Sequence, residues 1–336
     1  MSTSAPGVDL HPHHPAPIPR YVRGLFIANV VCQAGIIVTG GLVRLTGSGL
    51  GCPTWPQCTP GSYTPTVHQE QGFHKFIEFG NRTLTFVLLV VALAVVWAVW
   101  KKLPHRPSLR TPAVLVVLGV VVQAVLGGIT VLTGLSPITV AAHFLISAAL
   151  VAVATYLWLR LDETEDAPQL LVPPIVRTLG HVTAAVGVVV LTLGTIVTGS
   201  GPHSGDANTP ARFGFDPAAM SWLHADAVIL FIGLVVAIWL ACHLSAVGRP
   251  TERAAKAWRD LLILCVVQGL VGYAQYALAL PEGLVLLHMS LAAVMVVLLV
   301  RALMAMRARG VLEEHAPVVD GDADLRGTHE TVERRD

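Results

Sequence analysis

VLVVLGVVVQAVLGGITVL, residues 114–132, is a run of almost unbroken apolar side chains with one amide, Gln123, at its middle. Crossing the hydrocarbon core of a bilayer as a helix takes about 20 such residues, because lipid offers no partner to an unpaired backbone amide. The stretch therefore reads as a membrane span. Eight runs of this kind can be read, at roughly 24–44, 75–99, 112–133, 138–159, 175–198, 218–243, 258–279 and 284–306. Hydrophobic residues make up 54% of the chain and charged residues 13%, with a mean hydropathy of +0.66. That is more apolar surface than one soluble core of 336 residues could hide. The expected fold class is all-α, a polytopic membrane protein with eight transmembrane helices. The first run is too long for a cleaved signal and reads as a retained span.

The same stretch recurs. VVQAVLG at 121–127 returns as VVQGLVG at 266–272, and His143 returns as His288, both at an offset of 145; LTGSG at 45–49 returns as VTGSG at 197–201, at an offset of 152. Each half holds four spans, an even number, so both share one orientation and are expected to be related by an axis along the membrane normal. The chain is expected to be two pseudo-symmetric four-helix bundles, at 24–160 and 175–309, joined by a cytoplasmic linker at 161–174. Residues 1–23 read as a disordered arm and 310–336 as a disordered, acidic tail.

Basic residues set the orientation. Lys101, Lys102, Arg106 and Arg110 follow the second span, Arg160 and Arg177 flank the linker, Arg249, Arg253, Lys256 and Arg259 fill the loop after the sixth, and Arg307 and Arg309 follow the eighth. Both termini are then expected in the cytoplasm, in a multi-pass protein of the cell membrane. The loop 45–73, the turns near Ser136 and Pro281, and the loop 200–217 face outside. There Cys52 and Cys58 sit in an oxidising environment, in a loop rich in Pro and Gly that can bend enough to pair them. The pair reads as a small-loop disulfide; two free thiols or a redox-exchanging pair are the alternatives, and spacing does not decide. Cys32, Cys242 and Cys265 fall inside spans, where a thiol packs as a small hydrophobe.

Of the 14 histidines, those in loops, tails and cytoplasmic helix ends need no special role. His74, His143, His224 and His288 instead begin the even-numbered spans, near the outer face. An ionisable residue at that depth costs about 2.5 to 3.5 kcal/mol on insertion scales and marks a candidate site. His224 and His288 can meet across one bundle interior, which suits two axial imidazoles on a haem iron. The bland alternative is two histidines each satisfied by a neighbouring hydroxyl or carbonyl. The first half copies the pattern only in part: aligning EFGNR (78–82) of IEFGNR with SWLHA (221–225) of SWLHAD puts Asn81 opposite His224 and Glu78 opposite Ser221.

GGLVRLTGSGLGCPTWPQC (40–58), IEFGNR, GGITVLTGLSPITVAAH (127–143) and LVLLHMSLA (284–292) together resemble the haem A synthase family, membrane enzymes that oxidise haem O to haem A for cytochrome oxidase. The resemblance spans residues 24–306. It implies a haem b cofactor held through His224 and His288 as axial ligands. It also implies haem O as substrate in the first half, near His143 and Glu78, where many members have His at the position of Asn81, in a Glu-x-x-His-Arg pattern. Asn is a poor iron ligand. Either His74, seven residues earlier and about 10 Å along the axis, takes over, or His143 holds the substrate alone; single ligation is favoured.

The implied reaction is hydroxylation of a porphyrin methyl, then a second oxidation to the hydrated aldehyde, which loses water to leave a formyl group. Glu78 is the expected catalytic carboxylate, the alternative being a purely intrahelical pair with Arg82 at spacing four. Arg44 and Arg82 are expected to clamp haem propionates, and Cys52 with Cys58 to fix the loop over the substrate. Haem O synthase and an unknown electron donor are the implied partners, a homo-oligomer is a further expectation, and nucleic acid is not a partner. A dihaem electron-transfer cytochrome without catalysis is the alternative reading; it predicts an intact histidine pair in each half. A transporter with parallel repeats would show broken helices and midplane charges, which the sequence lacks.

Overall fold

The computed structural model describes residues 18–203, 205–206, 210–244 and 249–310. The amino-terminal arm up to residue 17 and the tail from 311 lie outside them. Among the described residues are eight helices long and apolar enough to cross a membrane: α1 (Arg20–Leu45), α2 (His74–Lys101), α3 (Arg110–Leu132), α4 (Pro137–Arg160), α5 (Pro174–Ser200), α6 (Pro217–Leu244), α7 (Arg249–Ala277) and α8 (Glu282–Met304). The protein is an all-α, multi-pass membrane protein. Helices α2, α4, α6 and α8 start on the face that carries Cys52 and Cys58, called here the loop face. The face where α1 begins and α8 ends is the terminal face.

Prolines set several of the helix starts. Pro137, Pro174 and Pro217 each occupy the first turn, where a missing N–H costs nothing because that donor has no intrahelical acceptor. The Asp216 carboxylate accepts from the Ala219 N–H at 2.9 Å and so caps α6. Two helix ends use left-handed backbone. Gly134 and Leu135 after α3, and Ala279 and Leu280 after α7, have φ between 57° and 63°, which lets the Leu135 and Leu280 N–H groups reach back to the Thr130 and Gln275 carbonyls at 2.9 and 2.7 Å. Both tight turns then feed directly into the next span.

Helices α1 to α4 pack as a closed ring, α1 against both α2 and α4. Helices α5 to α8 pack in sequence, but α8 makes more of its contacts with α1 and α4 than with α5, so the second ring is more open and leans on the first. The buried apolar clusters lie towards the terminal face: Val22, Phe26, Val95, Val99 and Leu157 in the first half, and Phe231, Val235, Ile238, Trp258, Leu261 and Leu299 in the second. Cys242 and Cys265 join this second cluster as small apolar groups. Ile37, Ala148, Val151, Ala293 and Val296 fill the seam where α1, α4 and α8 meet.

Clamps at each face tie the halves together. At the loop face, Arg44 donates to the His203 carbonyl at 2.5 Å and the Thr198 carbonyl at 2.7 Å, and the Gly49 N–H donates to the Gly205 carbonyl at 2.9 Å. At the terminal face, the segment after α4 forms a polar knot. Arg160, fully buried, pairs with Glu163 at 2.9 Å and donates to Ser108 Oγ and the Thr164 carbonyl. Arg106 pairs with Glu165 at 2.8 Å. Gln169–Leu170 (β1) pairs antiparallel with Arg307–Ala308 (β2), which follows α8, and Arg307 and Arg309 approach Glu163 at 3.6 and 3.7 Å. The linker is thus an ordered strap, which hydropathy could not reveal because its partners are 140 residues away along the chain.

Removing one member of a buried ion pair leaves the other uncompensated, so Arg160→Met is expected to lower stability by about 3 kcal/mol, whereas Arg23→Gln, which breaks the exposed Arg23–Asp162 pair, costs under about 1 kcal/mol. Thermal unfolding in detergent compares the two, and equal effects would refute this ranking. Burial pushes the Glu165 carboxyl up, but hydrogen bonds from Arg106 and Ser108 outweigh it and hold the group below its ordinary range. Its stabilising contribution is complete above about pH 4.3, the unfolded value, and is lost as pH falls through the lower folded one. Glu165→Gln should flatten that acid limb of the melting-temperature profile.

Candidate functional site

Four polar positions lie at one depth. Asn81, His143, His224 and His288 stand six or seven residues inside α2, α4, α6 and α8, about 9 to 10 Å from the loop-face helix ends. Three of them meet a glycine on the preceding helix. A Cβ at Gly127, Gly194 or Gly272 would lie 3.3 Å from the Cε1 of His143, His224 or His288, respectively. A bare backbone lets an imidazole edge approach the neighbouring helix this closely, where a Cβ would be crowded. The fourth position differs: the Thr39 hydroxyl of α1 lies 2.7 Å from Asn81 Oδ1 and donates to it.

Glutamines brace two of the histidines. Gln123 Nε2 donates to the His143 carbonyl at 2.8 Å, and Gln268 Nε2 to the His288 carbonyl at 3.0 Å. In the second half the rings present one edge alike. Cε1 and Nδ1 of His224 face Gly194, those of His288 face Gly272, each ring has a backbone carbonyl of that neighbouring helix nearby, Val190 or Gln268, and each Nδ1 is buried without a full hydrogen bond. A carbonyl that accepts from Nδ1 favours the tautomer protonated there, which leaves Nε2 with the free lone pair. His224 and His288 are close enough to one another to interact electrostatically. His143 is turned differently: its Cε1–Nε2 edge faces Gly127, and Nδ1 is buried without a partner.

One turn before Asn81, Glu78 is buried, 5% exposed. Its Oε2 accepts from the Cys52 N–H, and its Oε1 accepts from Arg82 Nε at 2.9 Å and Nη2 at 2.6 Å. Arg82 also donates to the carbonyls of Cys52 at 2.7 Å and Thr54 at 2.9 Å. Cys52 and Cys58 are joined as a disulfide, so the expected bond is present and the free-thiol alternative falls. The short loop it closes rests on the Glu78–Arg82 pair from above. Trp55 from that loop lies over Gly128 of α3, where a Cβ would collide with its ring, beside the Gly127–His143 contact.

Two sequence-predicted residues stand elsewhere. His74 is exposed at the first residue of α2, its Nδ1 2.8 Å from Ser48 Oγ, so it is not brought to Asn81. Arg44 has its guanidinium on the carbonyls at the end of α5, where it caps a helix and joins the halves. Sequence reading noticed Gln123 and Gln268 only as parts of a repeat, and Thr39 not at all. The glutamines carried a signal, an amide in mid-membrane; a threonine in an apolar helix carries almost none, since it can bond its own backbone. Among the described residues no three His, Cys, Asp or Glu side chains converge as a bare metal ion requires; an iron porphyrin brings its own equatorial ligands and needs only axial ones.

Residues 23–205, over half the chain, match the family model described as Cytochrome oxidase assembly protein. Fold and match together define a multi-pass membrane protein of the cytochrome oxidase assembly class. A Heme A synthase of Bacillus licheniformis is 28% identical over 288 residues, which cover 80% of this chain and 90% of that protein. One of Halalkalibacterium halodurans is 30% identical over 275 residues, 75% and 85% of the two chains, and one of Bacillus pumilus is 26% identical over 289 residues, 80% and 89%. The chain belongs to the haem A synthase family.

Because Arg82 reaches the Glu78 carboxylate and two loop carbonyls at once, a single ammonium cannot replace its fork. Arg82→Lys is expected to cost about 1 to 3 kcal/mol and to make the loop at 51–58 an early site of proteolysis, read by limited digestion and thermal unfolding. Wild-type behaviour in both would show that the loop does not rest on Arg82.

Proposed function

We propose that the protein is an enzyme that converts haem O to haem A, oxidising one porphyrin methyl to a formyl group by two successive hydroxylations. The observation that carries this reading is the inequality of the halves at one depth. In the second half two imidazoles approach each other with matching edges against glycine; in the first, His143 is accompanied by Asn81, with a buried carboxylate one turn away. A plain electron-transfer cytochrome needs no such inequality. The Heme A synthase relatives, which align over most of their length, support the same assignment.

The residues present fit haem b in the second half. The Nδ1 edges of both rings are turned to the glycines of α5 and α7, and Nε2 of His224 and of His288 would hold the haem iron. When bound, haem b supplies one-electron transfer to the reaction. Gly194 and Gly272 let the rings lie back against α5 and α7, and Gln268 holds the α8 backbone at His288.

Haem O, the substrate, is assigned to the first half, with His143 as its sole protein ligand. Asn81, held by Thr39, is a side chain that gives room without ligating. Glu78 is the catalytic carboxylate. Its negative charge, fixed by Arg82 and the Cys52 N–H, is placed to stabilise positive charge developing at the methyl carbon or to accept a proton there. The disulfide-closed loop and Trp55 exclude water from above. Both arginines are engaged, Arg82 with Glu78 and the Cys52 and Thr54 carbonyls and Arg44 with the Thr198 and His203 carbonyls, so a propionate would share either guanidinium with these partners. The loop face is assigned to the outside and both termini to the cytoplasm of the cell membrane, with haem O synthase as supplier of the substrate.

Expression in a host that makes haem O, followed by mass identification of the extracted haem, tests the assignment. Haem A is expected from the wild type. Glu78→Ala should lose haem A by about a hundredfold or more while retaining haem b; haem A formation at the wild-type level would remove Glu78 from the chemistry. His288→Ala should abolish the bis-imidazole optical spectrum, and its survival would mean that the wrong histidines have been paired. Haem b alone, with haem O unturned, would favour the electron-transfer reading.

A further inference from the structure

At the terminal face, far from the histidines, α4, α5, the strap and the end of α8 enclose a cavity of about 260 Å³. Its polar wall is Arg177 and His181 from α5, Tyr156 from α4 and Arg307 from β2; Leu303 and Met306 contribute to its apolar wall. Arg177 and His181 are four residues apart and so share one helix face. Among the described residues neither side chain makes a hydrogen bond or an ion pair. Arg307 stacks over the Tyr156 ring at 6.0 Å, and its Nε and Nη2 are buried without a hydrogen bond. The nearest carboxylate, Glu163, stands 3.6 Å from Arg307 but also serves Arg160 and Arg309. Positive charge at the cavity therefore exceeds negative, and Arg177 is wholly uncompensated.

Depth and shape narrow the ligand. Arg177 lies three residues inside α5, about 5 Å from the helix end, which is the level of lipid headgroups rather than of the hydrocarbon centre. Basic pockets between transmembrane helices recognise anionic headgroups, and a guanidinium matches two phosphate oxygens at once. A free phosphate would meet the arginines but leave Leu303 and Met306 facing water. An amphiphile satisfies both walls.

We propose that this cavity binds the phosphodiester headgroup of an anionic phospholipid, with Arg177 and Arg307 on the phosphate and the first acyl carbons along Leu303 and Met306. The lipid then lies against the strap, where the linker and the end of α8 are joined, and holds the halves together at this face. This assignment is independent of the haem reading.

The full chain, purified in detergent, is titrated with phosphatidylglycerol and separately with phosphatidylcholine, and bound lipid is counted by native mass spectrometry. Phosphatidylglycerol is expected to be retained preferentially. Arg177→Gln, an exposed residue without partners, should weaken that retention about fivefold, the worth of one basic contact at a membrane surface. Arg20→Gln, at the same face but on α1, should leave it unchanged. Equal retention of the two lipids overturns the proposal, as does an equal loss in Arg20→Gln, which would indicate diffuse surface charge. Inorganic phosphate in excess is the remaining arm: if it displaces the lipid in an Arg177-dependent way, the site takes a small anion and the lipid assignment falls.

Discussion

A polar side chain inside a bilayer has no water to turn to, so it must find its partner within the bundle or remain costly. That constraint organises this protein. Several polar groups in the loop-face half of the spans are braced by another: Gln123 and Gln268 by histidine carbonyls, Asn81 by Thr39, Glu78 by Arg82 and the Cys52 N–H. Others in the spans are not: Nδ1 of His143, His224 and His288 is buried without a full hydrogen bond, as are side-chain atoms of Asn29, Gln33 and Gln275. It is the Nε2 edges of His224 and His288, rather than those Nδ1 atoms, that the proposed haem assignment uses.

The two halves apply one plan to different ends. Both place a polar group at the same depth of each even-numbered helix, and three of the four rest on a glycine of the helix before. In the second half the two rings share an orientation, as the two axial ligands of one iron would. In the first, the exchange of an imidazole for Asn81 and the arrival of Glu78 one turn away replace symmetry with a directional site. The disulfide-closed loop joins only this half, through Arg82 and Trp55, so the half proposed to take the substrate is also the one with a built roof. Stability is supplied elsewhere. The buried apolar clusters, the Arg160 knot and the β1–β2 strap all lie towards the terminal face, which leaves the loop-face half free to be polar.

Much of this was legible in the chain. Eight apolar runs determined the number of helices, because backbone desolvation fixes their length, and the runs read from 138, 175 and 218 begin one residue after the helix starts at Pro137, Pro174 and Pro217. His74, His143, His224 and His288 stood out as costly residues near one face, of which the structure leaves His74 exposed at a helix start; the role of Glu78 came from the family resemblance, and the cysteine spacing was short enough for the bond that forms. The ends of the spans were read less well: α7 begins at Arg249, nine residues before its apolar run, since hydropathy is silent about a helix that continues into the polar interface.

What only the tertiary structure decided are relations between distant residues. Nothing local distinguishes Arg44, which caps α5, from Arg82, which holds a loop, or separates His74, bonded to Ser48 at an exposed helix start, from the buried histidines. The strap between Gln169–Leu170 and Arg307–Ala308 is two residues on each side and has no pattern to read. The ring edges of His143 and His288, which hold equivalent positions in the repeat, present different atoms to their glycines. Desolvation acts on each residue separately and so is written in the sequence, whereas hydrogen-bond partnership depends on which helices meet, and that is settled only when the bundle packs.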